Sequence, residues 1–141
     1  HMLILSNLEL LLNYCLRFYD RQFYTRTSIH KDFVADFERA LKRYFNSEAV
    51  EEHGLPSASY FGQQLNISTN YLSDLLKKET GKSIKEHIDG YIVEKAKAIL
   101  LNSRKRVSEI AYDLGFEYPQ SFTRLFKNKT GMSPLAFRNL N

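Results

Sequence analysis

Two stretches of this chain carry the same pattern, NYLSDLLKKETGKSI at 70–84 and QSFTRLFKNKTGMSP at 120–134. In register, Leu72 falls on Phe122, Leu75 on Leu125 and Leu76 on Phe126, and the polar tails KKETG and KNKTG align. Apolar residues at that spacing line one face of a helix. The repeat therefore demands a fold in which two equivalent helices bury the same face.

Each repeated helix has a second helix just ahead of it. Ser57 is an N-cap for a short helix through Leu65, and Ser68 caps the next from Thr69, which leaves room only for a tight helix-turn-helix. Phe61, Leu65, Ile67, Leu72 and Leu75 supply its apolar contacts. Gly62 falls where the two helices must approach closely, a packing reason for a residue that costs a helix interior about 1 kcal/mol relative to alanine. In the second copy Val107, Ile110, Ala111 and Leu114 build the supporting helix and Gly115 ends it. Phe116, Phe122, Leu125 and Phe126 continue the core, and Ala111 takes the place of Gly62. The register offset is 49 before the turn and 50 after it, so the second turn is one residue longer, through EYPQ.

Between the copies, Gly81 reads as a left-handed C-cap, and Ser83 with Glu86 forms a capping box that opens a long helix through about Leu101. Its stripe is Ile84, Ile88, Ile92, Ala96, Ile99 and Leu100, and NSRKR ends it. After Gly131, Ser133-Pro134 caps a last short helix. Upstream, Phe33, Phe37, Ala40, Leu41, Tyr44 and Phe45 make one helical stripe, with Asp32, Asp36, Lys42 and Arg43 outside it; SEAVEEHGLPS then breaks the pattern. A first helix runs from a Ser6 cap to about Tyr24. No strand pattern appears. The expected fold is all-α, with two helix-turn-helix subdomains (57–80 and 107–130) joined by a long central helix (83–102) within a domain spanning 29–141, preceded by a linker helix at 1–28.

The 141 residues, 43% hydrophobic and 26% charged, suit one or two small globular units. Cys15 is the only cysteine, which excludes an internal disulfide and fits a reducing cytoplasm. His30, His53 and His87 share no ligand spacing, so solvated or capping roles are expected and no metal site or cofactor is indicated. The apolar start MLILSNLELLLNYCL lacks a basic leader and is too short and interrupted to span a bilayer. His1-Met2 reads as a cloning remnant, and a piece of a longer protein is the expectation that goes with it. Residues 1–54 carry 7 basic and 8 acidic groups, residues 55–141 carry 13 and 8. A basic second part fits a polyanionic partner.

A helix-turn-helix holds its second helix out from the body, where it can enter a major groove. A connector of this length, roughly 27 to 30 Å at 1.5 Å per residue, suits two helices aimed at grooves about 34 Å apart on one face of a duplex.

Residues 56–138 resemble the DNA-binding domain of the AraC/XylS family of bacterial transcription regulators. The likeness rests on ISTNYLSDLLKKETGKSIKEHI, on YIVEKAKAILLNS and on VSEIAYDLGFEYPQSFTRLFKNKTGMSPLAFR. It implies sequence-specific binding of double-stranded DNA, RNA polymerase as a partner, an N-terminal effector-sensing or dimerising domain that is absent here, and LLNYCLRFYDRQF as the linker helix, which offers a homodimer contact. It implies no enzyme activity and no membrane association. By the resemblance, base contacts fall on Thr69, Asn70, Ser73 and Asp74 in the first reading helix and on Tyr118, Pro119, Gln120, Thr123 and Arg124 in the second. Asp74 departs from the arginine common there; a carboxylate accepts from cytosine but repels phosphate. Arg124 matches the bidentate chemistry of guanine and Gln120 that of adenine. Lys77, Lys78, Arg104, Lys105, Arg106, Lys127 and Lys129 are the candidates for phosphate contact.

Blander roles compete for several of these residues. Leu72, Leu75, Phe122 and Phe126 read as core that positions the readers. The lysines of KKET and KNKT also offset the helix macrodipole, Asp74 has Lys77 and Lys78 at salt-bridge spacing, and Tyr118 and Pro119 shape the longer turn. Cys15 reads as helix packing. No catalytic constellation or phosphate-cradling loop is present. The rival function is a protein-interaction or dimerisation fragment, with Phe18, Tyr19 and Phe23 offered to a partner helix.

Overall fold

The computed structural model describes residues 29–140. The expected linker helix, its Ser6 cap, Cys15 and the aromatics Phe18, Tyr19 and Phe23 lie outside the described residues. Among the described residues every regular element is helical: α1 (29–45), α2 (Ala49–His53), α3 (Ala58–Gln64), α4 (Thr69–Thr80), α5 (Ile84–Asn102), α6 (Val107–Asp113), α7 (Pro119–Thr130) and α8 (Pro134–Asn139).

The caps form where the sequence places them. Ser57, Ser68 and Ser133 hydroxyls accept from the amides of Tyr60, Tyr71 and Ala136 at 3.1–3.2 Å. Ser83 accepts from the Glu86 amide at 3.1 Å, but the Glu86 carboxylate accepts from the Ser83 hydroxyl at 3.3 Å, so the reciprocal arm of the capping box runs between side chains. Gly81 and Gly131 close α4 and α7 at φ 77° and 82°, their amides donating to Lys77 and Lys127 carbonyls.

Both helix-turn-helix turns are built from one hydrogen-bond motif. At the end of α3 the Ile67 amide donates to Gly62 O and the Asn66 amide to Gln63 O; at the end of α6 the Phe116 amide donates to Ala111 O and the Gly115 amide to Tyr112 O. This is the Schellman closure, which needs a left-handed residue at its corner. Asn66 fills that position at φ 57° and Gly115 at φ 100°. After it, the first copy goes from Ile67 through Ser68 into α4, and the second inserts Glu117 before Tyr118.

The core is continuous. Phe37, Phe61, Leu72, Leu76, Ile92, Leu100, Ile110, Leu114, Phe122 and Phe126 are essentially inaccessible. The central helix α5 packs against α4, α6, α7 and α8, so both reading units share one spine. Edge-to-face rings extend the packing, Phe37 against Phe61 at 5.1 Å and Phe126 against Phe137 at 5.6 Å.

Sequence reasoning treats SEAVEEHGLPS as a break; it contains α2, a helix with Val50 buried. Five residues are too few to show a period, which is why no pattern marks it. The Tyr44 hydroxyl donates to Gly54 O at 2.6 Å and lies 3.4 Å from Ala49 O, tying both ends of α2 to α1. Burial raises the Tyr44 pKa, with the neighbouring Tyr60 phenol adding to the effect.

Candidate nucleic-acid interface

On α4 the buried stripe of Leu72, Leu75 and Leu76 turns Asn70, Asp74 and Lys77 outward, since residues four and seven apart share the opposite face at 100° per residue. All three are exposed, and Ser73 beside them is half-buried. Thr69 is half-buried for a local reason: its hydroxyl and amide lie 3.2 and 3.3 Å from where a Cβ on Gly62 would stand, so it packs into the turn. The expected local pairing of Asp74 does not form; neither Lys77 nor Lys78 comes within ion-pair distance of it. Its carboxylate faces outward from an exposed position.

α7 repeats the arrangement with different chemistry. Phe122 and Phe126 face inward while Gln120, Arg124 and Lys127 are exposed along one face, with Thr123 half-buried beside them. Arg124 stands at the position that Asp74 holds in α4. Tyr118 is the N-cap in extended conformation, makes no side-chain cap and leaves its ring 60% exposed; Pro119 occupies the first turn, where a missing amide donor costs nothing. α7 carries Arg124, Lys127 and Lys129 with no acid, whereas in α4 Lys77 and Lys78 are balanced by Asp74 and Glu79. The second helix therefore has the stronger positive field.

Not every basic candidate reaches this face. Lys129 is exposed and lies on another side of α7 from Lys127, two residues away at 100° per residue; burial raises the pKa of Asp89 on α5, with Lys85 at 3.9 Å the larger and Lys129 the smaller opposing influence. Glu79, the counterpart of Lys129 on α4, turns back to the body and meets His30 at 3.6 Å. Lys105 is held by Asp113 at 3.0 Å, and this hydrogen bond, with the adjacent charge, raises its pKa. Arg104 and Arg106 are exposed, Arg106 as the N-cap residue of α6.

Arg138 was not singled out by the sequence reading. Its Nε donates to Leu100 O at 3.0 Å, closing the C-terminal end of α5, and it lines a cleft of about 340 Å³ with Ser103 and Arg104. Its proximity to α5 depends on how α8 folds back, which no local pattern encodes. Lys95, equally unsuspected, donates to Phe45 O at 2.8 Å and to Asn46 Oδ1 at 3.1 Å, and burial lowers its pKa. Among the described residues no cluster of His, Cys, Asp and Glu could hold a metal ion, and no helix is long and apolar enough to cross a membrane.

Comparison with known proteins agrees with this geometry. The family profile of the helix-turn-helix domain matches residues 61–140. The HTH-type transcriptional regulator YobQ of Bacillus subtilis is 39% identical over 129 residues, covering 82% of this chain and 53% of YobQ. The C-terminal domain of the two-component response regulator yesN from Fusobacterium nucleatum superposes with a TM-score of 0.64 at 25% identity, over 72% of this chain and 93% of that one. The DNA-binding domain of AdpA, solved in complex with a target DNA, shares the fold with a TM-score of 0.63 at 21% identity, over 79% of this chain and 90% of that one. The chain spans about half or less of the length of the curated relatives it matches first. With two helix-turn-helix units on one spine and a matching profile across both, the chain belongs to the AraC-type family of helix-turn-helix DNA-binding domains of transcription regulators.

Proposed function

We propose that this chain binds specific double-stranded DNA by placing α4 and α7 in successive major grooves, as the DNA-reading part of a longer transcription regulator. The observation that carries this is the duplicated outward face: Asn70, Asp74 and Lys77 on one helix and Gln120, Arg124 and Lys127 on the other are exposed at equivalent positions above equivalent buried stripes. The 19 residues of α5 give a connector of about 28 Å, comparable to the roughly 34 Å between successive grooves.

In this reading Arg124 and Gln120 read base edges, with Asn70, Ser73, Asp74 and Thr123 contributing and Thr69, Tyr118 and Pro119 shaping the entry of each helix. Lys77, Lys78, Lys127, Arg104 and Arg106 contact phosphates. The longer protein would carry an N-terminal sensing domain, meet RNA polymerase, work in the cytoplasm and use residues 1–28 for a dimer contact. These follow from the family resemblance and perform no reaction. Sedimentation of the whole chain against residues 29–141 tests the dimer; identical monomers remove it.

Selection of bound sites from a random duplex pool, followed by a salt series, tests the core of the proposal. Five phosphate contacts predict a loss of roughly 10²–10³-fold between 50 and 200 mM salt. Arg124→Ala should cost about 1–3 kcal/mol and relax one position of the selected site. Binding indifferent to salt would favour a protein-interaction module instead.

A further inference from the structure

The two reading units are joined by more than α5. Gly54, at the end of α2, and Gly115, at the corner of the second helix-turn-helix, lie backbone to backbone. A Cβ on Gly115 would stand 2.9 Å from Val50 Cγ2, 3.0 Å from the Gly54 carbonyl carbon and 3.2 Å from the Leu55 amide nitrogen; a Cβ on Gly54 would meet Gly115 O at 3.3 Å. Both glycines have positive φ, 76° and 100°. Gly54, with ψ −148°, occupies a region that only glycine enters readily. The segment before the first reading unit is thus pressed against the turn of the second. It is held there by the Tyr44 hydroxyl on Gly54 O at 2.6 Å and by buried Val50.

A single helical connector leaves bending and twist at its ends, because each unit is attached through one element. A second contact at a different point removes that freedom. We propose that the Gly54–Gly115 contact, secured by Tyr44, fixes the separation and rotation of α4 relative to α7, and so sets the spacing between the two half-sites that the domain accepts. This rests on the DNA-binding reading and adds positioning residues to it: Tyr44, Gly54 and Gly115 touch no base in this scheme and act through the orientation of the second unit.

The test compares the wild type with Tyr44→Phe and Gly115→Ala. Tyr44→Phe keeps the buried ring and removes only the hydroxyl; Gly115→Ala forces the backbones apart, and is the variant at risk of not folding. Each protein is titrated with the site selected by the wild type and with the same site carrying one extra base pair between its halves. The wild type should lose about tenfold or more on insertion, the value of one good base contact, and Tyr44→Phe should lose less than about threefold while binding the original site more weakly. A general loss of stability would lower both affinities together and leave their ratio unchanged, which would overturn the proposal.

A second readout needs no DNA. With Cys15→Ser as background, spin labels on Lys78→Cys and Asn128→Cys, exposed positions at the same place in α4 and α7, report the distance between the helices. A narrow distribution in the wild type that broadens or shifts in Tyr44→Phe is expected. An unchanged distribution would overturn the lock even if DNA binding holds, whereas a broadened distribution together with no site selected by the unlabelled wild type would sink the DNA-binding reading alone.

Discussion

Thr80 and Thr130 make the same hydrogen bonds at the same end of their helices. Each hydroxyl donates to the carbonyl four residues back, Leu76 O and Phe126 O, at 2.7 Å, and each accepts from the amide two residues on, Lys82 at 3.2 Å and Met132 at 3.3 Å. The repeat is therefore a repeat of local wiring as well as of buried face. Thr130→Val should cost about 1–2 kcal/mol by stranding the Met132 amide, read as a shift of the urea midpoint with unchanged slope.

Thr80 has one partner that Thr130 lacks. His87 Nε2 lies 2.8 Å from its hydroxyl. With the hydroxyl proton directed to Leu76 O, the imidazole Nε2–H is the donor of this pair. Burial lowers the His87 pKa, with Lys82 acting in the same direction and Glu38 and Glu86 opposing. The folded state binds fewer protons here than the unfolded chain, so this contribution is present above the ordinary value of 6.5 and is lost as pH falls through the depressed one. In His87→Phe, which installs the residue found at the equivalent position 137, stability should vary less with pH below 6.5; an unchanged pH slope in urea titrations would refute the lowered His87 pKa.

Gly62 and Ala111 hold equivalent positions yet should not be interchangeable. A Cβ on Gly62 would meet the Ile67 carbonyl at 3.0 Å. Gly62→Ala should therefore destabilise by about 1 kcal/mol after the gain in helix propensity is set against overpacking. Ala111→Gly should also destabilise by about 1 kcal/mol, through the lost methyl packing and greater unfolded-state entropy. Thermal melts of both variants check this; a stabilised Gly62→Ala would mean that the turn yields.

Lys95 closes the end of α1 from α5, through Phe45 O and Asn46 Oδ1, with its ammonium 5.9 Å from the Phe45 ring centre. Lys95→Met keeps most of the stem and removes the donor. It should lower stability by about 1.5–3 kcal/mol, the range for hydrogen bonds to a charged group, and hydrogen exchange should quicken first at the C-terminal turn of α1.

Lys127 and Lys129 separate surface charge from reading charge. Lys127 shares the outward face with Gln120 and Arg124, whereas Lys129, two residues on, lies on another side of the helix. Lys127→Ala should weaken binding to all duplexes alike and reduce the salt slope by about one contact, while Lys129→Ala should change affinity by less than about twofold. Equal effects would place both lysines on phosphates.

The sequence alone determined the elements that depend on near neighbours. Serine caps, glycine corners and apolar residues three and four apart act within one or two turns, and so the helix-turn-helix pairs, the long connector and the outward positions of Arg124 and Gln120 were legible before any coordinates. Tertiary structure decided what depends on residues distant in the chain. α2 is too short to show a period and is held by Tyr44 and the core. The approach of Gly54 to Gly115, and the closing of α1 by Lys95 and of α5 by Arg138, exist only once α5 has brought separate segments together, since a contact between remote residues is chosen by packing and not by spacing.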